Sequence, residues 1–86
     1  MERQEIFNGI KEILDNNFEI EKVNFTEETH LRNDLGADSI DVVSIGVEID
    51  QKFDINTAVG ELDEIWADLT VGYLVDLVQK KLEKKA

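Results

Sequence analysis

A chain of 86 residues holds one domain with a modest core, and its 20 Asp and Glu against 9 Lys and Arg leave a net charge of −11. That balance repels nucleic-acid phosphates and anionic membrane surfaces and directs attention to partners with basic surfaces. No cysteine is present, so there is no disulfide, no thiolate metal ligand and no side-chain thiol nucleophile, and any thiol chemistry must come from an added group.

The opening Met1-Glu2-Arg3-Gln4-Glu5 is too polar for a secretory signal, and no apolar run approaches membrane-spanning length, so a cytoplasmic protein without membrane insertion is expected. Ile6, Phe7, Ile10, Ile13 and Leu14 recur at helical spacing and predict a first helix from about Glu2 to Asn16. A polar stretch, Asn17 to Asp34, follows. It is long for a loop in so small a domain, and Phe18, Ile20, Val23, Phe25 and Leu31 are expected to pin it to the core.

The sharpest turn signal is Asp34-Leu35-Gly36-Ala37-Asp38-Ser39. Gly36 can take a positive φ, and Asp38 or Ser39 can cap a second helix that runs to about Gln51 or Phe53. In the stretch Asn56 to Leu69, the spacing of Val59, Leu62, Ile65, Trp66 and Leu69 predicts a short third helix around Glu61 to Trp66. Thr70 then caps a last helix with Val71, Leu74, Val75, Val78 and Leu82 on its apolar face. Its basic end, Lys80, Lys81, Lys84 and Lys85, suits the negative pole of the helix dipole. With no proline, repeat or linker, the expected fold is all-α: one domain over residues 1–86, a bundle of three longer helices and one short one, monomeric by default.

The second helix carries two apolar stripes. At 100° per residue, Ile40, Val43 and Val47 fall together, while Val42, Ile45, Ile49 and Phe53 fall nearly opposite. Asp41, Ser44 and Glu48 form a polar strip between them, and Asp50 flanks the first stripe on the side of Ser39. A central helix would bury both stripes. Alternatively one stripe faces the core, and the other is an acid-edged apolar strip suited to a basic, partly apolar partner surface.

Ser39 stands just inside a helix N-terminus. A hydroxyl there is usually a cap, but the free N–H groups and the positive dipole end also favour an attached phosphate. The segment Asp34-Leu35-Gly36-Ala37-Asp38-Ser39-Ile40-Asp41 resembles the phosphopantetheine attachment segment of acyl carrier proteins, D-L-G-A-D-S-L-D, departing only at Ile40. Glu48, Phe53 and Asp54 resemble the family's acidic, Phe-ended second helix, and Thr70-Val71 the start of its last one.

The resemblance implies a carrier rather than an enzyme. A phosphopantetheinyl transferase moves a 4'-phosphopantetheine arm from coenzyme A to Ser39, and the arm's thiol holds an acyl group as a thioester, sheltered by the bundle. Acyl-transferring, fatty-acid or polyketide synthase enzymes with basic docking surfaces are the implied partners. Asp38, Asp41, Glu48 and Asp50 are the implied charged contacts, and Ile40 and Val47 the apolar ones. Ser44 replaces a usual glutamate, Glu48 a usual small apolar residue, and the Asn56–Asp68 region lacks the usual proline and acidic cluster and carries Trp66. These departures suggest a specialised carrier in fatty acid or lipid biosynthesis. The alternatives are an unmodified acidic interaction domain, or a carrier of polyketide or aminoacyl cargo, against which Asp38 argues.

The remaining features point to no chemistry. The single histidine, His30, reads as a solvated loop residue with no nucleophile in view. Asp50, Lys52 and Asp54 do not match a calcium loop, and no metal site is expected. Trp66 reads as a core anchor.

Overall fold

The computed structural model describes residues 2–56 and 66–85. Three α-helices make up most of it: α1 (Arg3–Asn17), α2 (Ser39–Phe53) and α3 (Val71–Lys85). Among the described residues there is no strand, only an isolated antiparallel bridge between His30 and Thr70. The first helix lies one residue later than expected, and the second ends at Phe53. Of the predicted short third helix, residues 61–65 fall outside the described residues, and Trp66 opens a 3₁₀ turn, Trp66–Asp68.

Each helix ends for a local reason. At the end of α1, Phe18 turns extended while its N–H still reaches Leu14 O at 2.8 Å, and the Asn17 amide donates to Ile13 O at 2.7 Å. Asp54 ends α2 in the left-handed conformation, φ 53° and ψ 52°. Thr70 opens α3, its hydroxyl oxygen accepting from Tyr73 N at 3.1 Å, as its cap role required.

The core forms where the predicted apolar faces meet. Ile6, Ile10 and Leu14 of α1 and Leu74, Val75 and Val78 of α3 are buried with Val42, Ile45, Ile49 and Phe53 of α2. Helix α1 packs on both α2 and α3. Gly9 admits the end of α2 at close quarters, since a Cβ there would stand 2.6 Å from Phe53 Cζ.

The long connector between α1 and α2 is pinned as its apolar residues suggested. Ile20 and Leu31 are buried, and Phe25 lies against Phe7 with ring centroids 5.6 Å apart. Backbone bonds also tie it to the entry of α3: Gly72 N to Glu27 O (2.7 Å), Val71 N to Thr29 O (3.0 Å) and Leu31 N to Leu69 O (3.0 Å). These bonds overturn the reading of His30 as a solvated loop residue. It is half-buried, its Nδ1 has no partner among the described residues, and its N–H donates to Asp34 Oδ2 at 2.7 Å.

Arg3 joins three segments by donating to Glu27 Oε2 (3.1 Å) on the connector and to Asp76 Oδ1 (2.6 Å) and Gln79 Oε1 (3.3 Å) on α3. Its hydrogen bonds to Glu27, then to Asp76, push its pKa above the ordinary arginine value. Such pairs offset only part of the repulsion in a chain of net charge −11. Raising ionic strength should therefore raise the melting temperature, read by circular dichroism in a salt series, and a flat or falling trend would contradict this.

Candidate functional site

The turn before α2 is built to a fixed shape. Asp34 N and Leu35 N both donate to His30 O, at 2.9 and 3.3 Å, and Gly36 N donates to Arg32 O at 3.2 Å. Gly36 takes φ +73°, the left-handed geometry expected of it, with nothing within 4 Å of a Cβ placed there. Ala37 is buried, and its N–H returns to Leu31 O at 2.9 Å. Because the space around Gly36 is open, Gly36→Ala should act through backbone strain alone. It should cost about 1–2 kcal/mol in a denaturant melt, whereas an unchanged midpoint would mean the turn relaxes freely.

Asp38, not Ser39, is the cap. Its Oδ1 accepts from Asp41 N at 2.8 Å, and Asp41 Oδ2 accepts from Asp38 N at 3.1 Å, a reciprocal capping box. Ser39 is therefore the first helical residue, exposed and relieved of capping. Among the described residues its hydroxyl and the N–H groups of Ser39 and Ile40 have no partner. A phosphoryl group on Ser39 Oγ would meet those free N–H groups and the positive end of the α2 dipole. Asp38 and Asp41 repel it, which favours an arm directed toward solvent.

The two stripes of α2 separate cleanly. Val42, Ile45, Ile49 and Phe53 face the core, while Ile40, Val43 and Val47 are 74%, 46% and 52% exposed. The exposed stripe begins beside Ser39, with Asp38 and Asp41 at its head. The other two acids stand apart. Half-buried Glu48 accepts from Asn17 Nδ2 at 2.9 Å, which turns it toward α1. Half-buried Asp50 lies on the opposite edge, its carbonyl accepting from Ile55 N at 3.1 Å. Ser44 is exposed on the polar strip. Val43 belongs to the stripe but not to the contacts that the resemblance implies, and its exposure adds it to this face.

Residues 8–78 match the family model described as "Phosphopantetheine attachment site". An acyl carrier protein of Lactobacillus acidophilus is 38% identical over 79 residues, 92% of this chain and 95% of that relative. The chain belongs to the acyl carrier protein family. Further acyl carrier proteins, from Thermotoga maritima and Coprothermobacter proteolyticus, are 35% and 34% identical over 80 and 85 residues, covering 93% and 99% of this chain. The chain is thus a carrier of a covalently attached 4'-phosphopantetheine, in keeping with a cysteine-free sequence that takes its thiol from outside.

One feature of the carrier's turn had no local signal in the sequence. Trp66 donates its indole N–H to Ala37 O at 3.2 Å, and Arg32 Cζ lies 4.8 Å from the centre of the indole ring.

Proposed function

We propose that Ser39 bears the phosphopantetheine arm and that the exposed stripe of α2 presents it to partner enzymes. The observation that carries this reading is the division of labour at the helix start. Asp38 and Asp41 cap each other, leaving the Ser39 hydroxyl and two first-turn N–H groups without a partner among the described residues. A phosphopantetheinyl transferase reaches an exposed Oγ on a turn held rigid by Gly36 and Ala37, and the free N–H groups stabilise the phosphodiester once formed. When bound, the arm supplies a terminal thiol that holds an acyl group as a thioester.

Partner docking falls to Ile40, Val43 and Val47, with Asp38 and Asp41 steering a basic surface onto the Ser39 end. Glu48 and Asp50 flank that face and set its width. Glu48, held toward α1 by Asn17, gives the rim a charge where the family commonly has a small apolar residue, which supports a specialised choice of partner. The residues at this face provide docking and attachment, not acid–base chemistry, so the protein acts as a substrate handed between enzymes. None of the described helices is long and apolar enough to cross a membrane. We place the carrier in the cytoplasm, serving fatty acid or related lipid synthesis.

Incubation with coenzyme A and a promiscuous phosphopantetheinyl transferase should add the mass of one phosphopantetheine. No gain in a folded sample, beside a known carrier modified in parallel, would leave an unmodified interaction domain as the better reading.

A further inference from the structure

The attachment turn is fastened from outside by a residue far along the chain. The peptides on either side of Ala37 are both engaged: its N–H bonds to Leu31 O at 2.9 Å, and its C=O accepts the indole N–H of Trp66 at 3.2 Å, across 29 residues of sequence. Ala37 is buried and its carbonyl has no other donor among the described residues, so loss of the indole would leave it unpaired, a costly state that the turn would escape by rotating toward water. The residue rotated with it is Asp38, the cap of α2, and the next is Ser39.

Arg32 works at the same place twice. Its carbonyl accepts from Gly36 N at 3.2 Å, closing the turn, and its guanidinium covers the Trp66 ring at 4.8 Å. A cation over an indole face is favourable, and an arginine also shields the ring from solvent. The segment bearing Trp66 leads directly into α3, and Leu69 O accepts from Leu31 N at 3.0 Å. The turn, Trp66 and the entry of α3 therefore form one hydrogen-bonded unit ending two residues before Ser39.

We propose that Trp66 is a positioning residue for the loading of Ser39: its indole holds the Ala37 carbonyl so that Ser39 Oγ is presented in one orientation to the transferase, and Arg32 holds the indole. This rests on Ser39 being the attachment residue. Trp66 lies off the exposed stripe of α2, so it acts on the orientation of the nucleophile and not on docking. The consequence is a split between kinetic constants, because lost orientation lowers kcat while an untouched docking face preserves KM.

The test is steady-state loading of the full apo chain with coenzyme A and phosphopantetheinyl transferase, varying the carrier, for the native protein, Trp66→Phe and Arg32→Ala, each with a melting curve. Trp66→Phe keeps a ring under Arg32 but deletes the N–H. Its kcat should fall by about fivefold, the rate equivalent of roughly one net hydrogen bond, with KM within about twofold. Arg32→Ala should lower kcat in the same direction by about twofold, and it is the deciding variant if Trp66→Phe does not fold. Native kcat in the folded Trp66→Phe protein, or a change confined to KM, overturns the role of Trp66 while leaving Ser39 as the attachment residue. If the native chain itself does not load, the reading of Ser39 falls, and this inference with it.

Discussion

Ser39→Ala should abolish the mass gain from coenzyme A completely and leave the melting temperature almost unchanged. The two halves of that result have separate causes. Loading ends because phosphodiester formation needs the hydroxyl, and no other hydroxyl occupies the start of α2. Stability persists because Ser39 does no structural work: Asp38 accepts from Asp41 N, Asp41 accepts from Asp38 N, and the Ser39 side chain is exposed. Alanine is also the better helix former at a first-turn position, so the expected change lies within about 0.5 kcal/mol. Asp38→Ala gives the opposite pattern. Losing the cap should cost about 1 kcal/mol while the Ser39 hydroxyl is still present to be modified. A residual mass gain in Ser39→Ala, by intact mass and peptide mapping, would move the attachment elsewhere. A destabilisation comparable to that of Asp38→Ala would show that the hydroxyl shares in capping after all.

The features legible in the sequence were those set by near neighbours. The spacing of Ile6, Ile10 and Leu14 marked α1 to within a residue at each end, Gly36 marked the left-handed position of the turn, and Thr70 marked the start of α3. The segment Asp34–Asp41, proposed for attachment, was legible because its pattern is contiguous: turn, cap, serine and second acid lie within eight residues. Other features depend on elements meeting in space. Helical periodicity showed that α2 has two apolar stripes but not which is buried, because that depends on α1 and α3 closing on one side, with Gly9 admitting Phe53. Between Asp38 and Ser39 as cap, only the reciprocal bond with Asp41 decides. The indole of Trp66 on Ala37, the guanidinium of Arg3 on Glu27 and Asp76, and the amide of Asn17 on Glu48 join residues 24 to 73 positions apart. No local pattern encodes them. His30 departs from its expected solvated place for the same reason: a lone histidine in a polar stretch has no local mark of the backbone bridge to Thr70 that draws it inward.

Two alanine substitutions on α2, two residues apart, should produce effects of different kinds. Ile49 is almost wholly buried, so Ile49→Ala removes apolar contacts and leaves a cavity, at a cost of about 2–5 kcal/mol. A chain of 86 residues has a total stability of only about 4–13 kcal/mol, so the loss is a large share of it. In a domain of this size the melting temperature should drop by roughly 10 °C or more. Val47 is 52% exposed on the opposite stripe, and Val47→Ala should shift stability by less than about 0.5 kcal/mol. On the docking face proposed for α2, its effect should fall on partner binding. The lost methyl groups would have been covered by the partner, so KM for the carrier in loading and in acyl transfer should rise by about threefold to tenfold while kcat holds. Equal destabilisation by the two substitutions would mean that α2 buries both stripes and that the exposed face is not an interface. Native KM in Val47→Ala with transferase and acyl-transferring enzyme alike would leave recognition to Asp38, Asp41 and the charges at the rim, and would predict a strong dependence of KM on ionic strength instead.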